Sequence, residues 1–528
     1  MTAADPALLA LAEADGVETT WVDVRGEEHA VDPDVLLAVL GHLGRPLSSE
    51  ADVEDVARAA RLAHWRAALD PVTVAWDGRG ELVLRAGLAD PPSAVTLTLE
   101  DGAEQALSVD GEPQLVQELE GTSYGEWHLP LAHLPAGVHR VGVGDAVGTV
   151  LAAPPVVPPR GGRRRQWGVF APLYAVRDDR DGPIGDLTSL AELGGWAAGR
   201  GADWVATLPL LPGTYDDDPV DPSPYRPLTR LAWNELYLDP ARLPELDAEE
   251  HLPAPSDPGR VDWAQVAREV HGLLVRAVDR LSDRRRTELE VFLAARPELA
   301  AYARFRGAGN PPLELVHAYA QWALHDQLED VARALEDRDQ VLYLDLPLGV
   351  HPDGYDATVH ASTFVPGVSV GAPPDDLAPD GQDWGFAPPH PERARVGGHP
   401  YLRASLDHHL GPARMLRLDH VMGLHRLWWV PEGAPATDGA YVRYAAEEQY
   451  AVLALAAARH HAEIVGENLG TVPPAIDEAL HAHGLVGMWP LQLVPPDDPG
   501  PPAGSSSRPR PPSPARSGGG SRARGPRR

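Results

Sequence analysis

"RMLRLDHV", residues 414–421, reads as a buried strand whose end is charged. Side chains in a strand alternate between faces, so Leu416 and Leu418 share one face and Arg417 and Asp419 the other. Burying two charges where leucine would fit is not a route to stability. A guanidinium beside a carboxylate does favour the ionised acid, the form a nucleophile needs. The bland alternative is a structural Arg–Asp ion pair.

Outward from this stretch, five more apolar runs read as strands: "WGVFAPLY" (167–174), "ADWVATLPLL" (202–211), "QVLYLDLPLGV" (340–350), "AEIVGENLG" (462–470) and "GMWPLQLV" (487–494). Amphipathic helices are expected between them, at 312–338 and 438–461 among others. Strand alternating with helix implies a parallel sheet covered by helices. Polar residues recur at the C-terminal ends of the runs (Asp345, Asp419, Glu467), as in a (β/α) barrel. The fold class is therefore α/β, a (β/α)8-type TIM barrel that shows only six strands and is incomplete at its C-terminal end.

Ahead of the barrel, "VTLTLE" (95–100) and "GVHRVGV" (137–143) have period two and suggest a small β-sandwich. "DPDVLLAVLGHLG" (32–44) opens on Asp-Pro and closes on Gly44, as a short helix does. The expected division is a helical segment 1–65, a sandwich 66–153, a linker 154–165, the barrel 166–494 and an unstructured tail 495–528.

Composition excludes several function classes. The chain has 528 residues, a net charge of −32 and no cysteine, so disulfides, thiolate catalysis and zinc–cysteine sites are out. The charge disfavours nucleic acid and anionic membranes as partners. No run approaches the roughly 18 apolar residues of a membrane span, and the start lacks a signal-peptide pattern; a cytoplasmic protein is expected. Residues 501–528 carry seven arginines, no acid and no aromatic. Such a tail builds no core. RNA binding is one reading of it; a shifted reading frame or truncation in a GC-rich gene is the reading preferred.

Glu467 ends its run at the mouth of the strand after Asp419, where partial burial would raise its pKa toward that of a general acid. One charged and one protonated carboxyl is the arrangement that cleaves glycosidic bonds with retention. "RLDHVMGLHRLWW" (417–429), "EIVGENLG" (463–470), "WGVFAPLYAVRDDRDGPIGDLTSLAEL" (167–193), "DPSPYRPLTRLAWNELYLDP" (221–240), "LDLPLGVHPDGYD" (344–356) and "GQDWGFAPPHP" (381–391) together resemble the 4-alpha-glucanotransferases, or amylomaltases, of glycoside hydrolase family 77.

That resemblance implies Asp419 as nucleophile, Arg417 as its orienting cation and Glu467 as acid/base. It implies Tyr225 and Trp384 lining glucan subsites, and Asp345 and His420 near the scissile bond. His351 and His425 are expected to be structural. The substrate would be maltodextrin or another alpha-1,4-glucan, with no cofactor and no metal. The family's third carboxylate, in a His-Asp-Asn motif, is not found; "HDQ" (325–327) lies in a helix ahead of the nucleophile. Activity in doubt, two long exposed sheet edges and poor folding are the expectations that follow. An alpha-glucan hydrolase and a non-catalytic maltodextrin-binding remnant stay open.

Overall fold

The computed structural model describes residues 5–489, apart from 24, 48, 160–164, 181, 216–219, 256, 258, 376–377 and 471. The arginine-rich tail and the basic part of the linker lie outside the described residues.

The N-terminal segment holds the helices Pro6–Ala14, Pro33–His42 and Val53–Arg66, with a hairpin of β1 (Thr20–Val22) and β2 (Glu28–Ala30) after the first helix. The helix expected at 32–44 starts where its sequence says. Asp32 caps it by accepting from the Asp34 amide at 2.9 Å, and Pro33 sits in the first turn, where an N–H is not needed.

A β-sandwich follows. Its strands are β3 (Val72–Trp76), β4 (Gly80–Gly87), β5 (Ala94–Thr98), β6 (Glu104–Ser108), β7 (Leu115–Leu119), β8 (Thr122–Leu131), β9 (Gly137–Val143) and β10 (Ala146–Ala153). A five-stranded sheet, β3-β10-β9-β5-β6, faces a three-stranded one, β4-β8-β7. Leu82, Leu84, Trp127 and Leu129 from the smaller sheet meet Val95, Leu97, Val141 and Val150 from the larger. This is the burial that period-two sequence makes possible.

The remaining strands are β11 (Gly168–Phe170), β12 (Trp204–Ala206), β13 (Val341–Leu346), β14 (Val368–Ala372), β15 (Gln382–Asp383), β16 (Met415–Leu418), β17 (Arg426–Pro431), β18 (Ala440–Arg443), β19 (Glu463–Gly466) and β20 (Val486–Gly487). Five of the expected barrel strands are present, and with β20, which meets the sixth expected run (487–494) only at Gly487, they form one parallel sheet in the order β11-β12-β13-β16-β19-β20; residues 490–494 of that run lie outside the described residues. The alternation inferred from residues 414–421 separates two layers. Leu342, Leu344, Leu416, Leu418 and Ile464 join the large core under the helices. Val341, Met415 and Val465 form a separate inner cluster with Trp204, Tyr343, Val486 and Met488. Among the described residues β11 and β20 each have a strand on one side only. Among the described residues these edge strands run three and two residues.

A four-stranded antiparallel sheet, β15-β14-β17-β18, is inserted between barrel strands. Residues 440–443, expected at the start of a helix, form β18 instead, and the helix is Ala446–His460. Ala440 and Val442 alternate onto a buried face while β17 supplies the backbone partners.

The N-terminal segment is joined to this inserted sheet. Val17 bridges Val442; the Glu18 amide donates to Tyr441 O and the Arg443 amide to Gly16 O, each at 2.8 Å. Leu8, Leu36 and Leu40 share one core with Val370, Phe386 and Trp429.

Candidate active site

The site lies at the C-terminal ends of β13, β16 and β19. β13 and β16 place Asp345 opposite Arg417, and β16 and β19 place Leu418 opposite Gly466. The ladder runs on past the last strand residues: the Asp419 amide donates to Leu346 O at 3.0 Å and the Glu467 amide to Leu418 O at 2.9 Å. Asp419 and Glu467 are thus neighbours on adjacent strands, whose spacing is about 4.8 Å. Both line one cleft of about 500 Å³.

Beneath Asp419 sits Arg417. Its Nη1 is 2.8 Å from Asp345 Oδ1 and 2.8 Å from Asp419 Oδ1. Tyr225 donates its hydroxyl to Asp345 Oδ2 at 2.7 Å. One cation between two acids orients both, so the opening pair of charges is in fact a triad with a tyrosine.

Burial pushes Asp419 above the ordinary carboxylate range, against the opposing charge and hydrogen bond of Arg417. The guanidinium does favour the ionised acid, as expected, but desolvation outweighs it. Burial also raises Glu467, and the Asp419 charge adds to this; Arg417 and the amides of His420 and Leu469 act in the other direction. Those amides donate to Glu467 Oε2 at 2.9 Å and Oε1 at 3.1 Å. Asp345, almost wholly buried, is pushed up to about 6 by burial, with Arg417 opposing.

His420 adopts φ 44°, a left-handed conformation uncommon outside glycine, directly after the candidate nucleophile. That turn aims its amide at Glu467. Burial pushes its imidazole down to about 4, so it is neutral at pH 7, and its ring meets Trp384 edge-on at 5.0 Å.

The structure therefore brings the expected residues together. Asp419, Glu467, Tyr225, Trp384 and His420 line the cleft, with Arg417 and Asp345 joined to it by the contacts above. His425 bonds the Tyr450 hydroxyl at 2.9 Å and His351 accepts from the Asp353 amide at 3.1 Å, both structural uses. In "HDQ", Gln327 is spent on the Asp239 backbone; none of the three residues lines the cleft.

Arg426, Tyr441, Val22 and Asp23 also line the cleft and were not expected. No local pattern marks them, because their elements reach the site only through the inserted sheet. Among the described residues one group, Asp23, Glu27 and His29, has its ligand atoms within 4.8 Å of one another. Asp23 Oδ1 there already accepts from the Arg25 and Glu27 amides.

A family model described as 4-alpha-glucanotransferase matches residues 171–310 and 313–506, and one described as MalQ N-terminal beta sandwich domain matches 68–159. The chain is 33% identical to a 4-alpha-glucanotransferase of Mycobacterium tuberculosis (strain ATCC 25618 / H37Rv), over 92% of this chain and 75% of that protein. It is 29% identical to one of Haemophilus influenzae, over 60% of this chain and 54% of that protein. Among solved structures it is similar to amylomaltase from Corynebacterium glutamicum, with TM-score 0.84 and 27% identity over 94% of this chain and 76% of that one. No described helix is long and apolar enough to cross a membrane.

Proposed function

This chain belongs to the 4-alpha-glucanotransferase family, and from that premise we propose that it moves a segment of an alpha-1,4-glucan to the 4-hydroxyl of an acceptor glucan or glucose. The observation that carries the reading is the meeting of Asp419 and Glu467 in one cleft from adjacent parallel strands. A strand spacing of about 4.8 Å suits the 5–5.5 Å carboxyl separation of retaining enzymes.

Asp419, held by Arg417, attacks the anomeric carbon while Glu467 gives its proton to the departing glycosidic oxygen. The product is a covalent glucosyl–enzyme. Glu467, now a carboxylate, takes the proton of the acceptor 4-hydroxyl as that oxygen displaces Asp419, which restores both acids. Arg417 and Asp345 are positioning residues. Tyr225 and Trp384 offer apolar ring faces to the sugar, and His420 presents its amide to Glu467. Maltodextrins, including those from glycogen, are the substrate class, and we place the reaction in the cytoplasm.

Maltotriose tests this. Glucose plus longer oligomers is the expected product set, lost in Asp419→Asn; shortening alone means an alpha-glucan hydrolase. The missing His-Asp-Asn motif favours one second reading, a chain that binds maltodextrin without turnover. It requires saturable binding and the same zero rate in the parent as in Asp419→Asn.

A further inference from the structure

The β1–β2 hairpin comes from the opposite end of the chain to the catalytic strands, yet Val22 and Asp23 line the same cleft as Asp419 and Glu467. Its position is fixed. Trp21 packs edge-on against Trp428 at 5.4 Å and stacks on His29 at 4.5 Å. Asp23 Oδ1 holds the turn through the amides of Arg25 and Glu27, at 2.8 and 2.9 Å, and Oδ2 lies 3.1 Å from His29 Nε2. With Trp21 turned inward, alternation turns Val22 outward, where it stays 52% exposed.

Val22 thus puts apolar surface into the cleft. Beside it stand Tyr441 and Arg426. The guanidinium lies 3.9 Å from the Tyr441 ring centre and is paired with Glu18 of the N-terminal segment at 2.5 Å. Apolar surface next to a fixed cation suits a sugar ring, which offers a C–H face to one and hydroxyl oxygens to the other.

We propose that the hairpin is a wall of the glucan cleft and that Val22 is a specificity-determining residue, contacting sugars beyond those at the scissile bond and favouring longer chains. This rests on the functional reading above. The test is calorimetric titration of the full chain with maltose and with maltoheptaose, for the parent, Val22→Thr and Val22→Asp. Thr keeps the β-branched shape, so the strand is retained. The parent is expected to bind both sugars. Both substitutions are expected to lower the ratio of maltoheptaose to maltose affinity, Val22→Asp by about five- to tenfold, as removing a small apolar contact does. An unchanged ratio in a parent that binds both sugars overturns the wall alone. A parent that binds neither overturns the functional reading and the wall with it.

Discussion

Arg417 touches two acids whose burial opposes their ionisation, so its removal has a signed consequence. Arg417→Gln raises Asp419 further, because the charge and hydrogen bond that lower it are gone. The acid limb of the kcat/KM profile for maltotriose is expected to move to higher pH. Asp345 gives a second test. Its carboxyl titrates near 3.9 in an unfolded chain and at about 6 when folded. A raised carboxyl stabilises the fold below the unfolded pKa, and that contribution is lost as pH rises through the folded one. Stability of Asp345→Asn relative to the parent should therefore shift in the variant's favour between pH 4 and pH 7, by about 2 kcal/mol. Denaturant melts at the two pH values check it; a difference that stays constant rejects the raised pKa. These residues were legible in the sequence because charge interrupts apolar runs at Asp345, Arg417, Asp419 and Glu467. Arg426 and Asp23 were not: a charge near a turn is unexceptional.

Elements were legible where periodicity is sustained. The sandwich strand Gly137–Val143 and the helix Pro33–His42 lie where their patterns put them. The barrel runs were found but overestimated: of 202–211 only Trp204–Ala206 is strand, and buried Leu210 and Leu211 belong to the connection beyond. Apolar burial extends a run past the point where pairing stops. β1 and β2, at three residues each, are too short for any period to register. What decides their place is the core shared with the inserted sheet. Leu36, fully buried there, packs in the cluster that includes Phe386 of the cleft wall. Leu36→Ala should cost about 2–5 kcal/mol, read as a lower urea midpoint of tryptophan fluorescence. An unchanged midpoint means that the N-terminal helices do not contribute to this core.

At the scale of the molecule the parallel sheet is strongest in its middle. β13 and β16 are flanked on both sides, whereas among the described residues β11 and β20 have one neighbour each, and Phe170 of β11 is 56% exposed. Amide hydrogen exchange is expected to be slowest in β13 and β16 and to quicken toward β11 and β20. Uniform protection across all six would contradict the order of the described strands. The bridge between Val17 and Val442 carries a different consequence. On the ribosome, Leu8, Leu11 and Val17 emerge hundreds of residues before the strand that receives them. The N-terminal helices can cover part of that apolar stretch among themselves, but the pairing with β18 closes a loop of hundreds of residues and is expected to form late in folding.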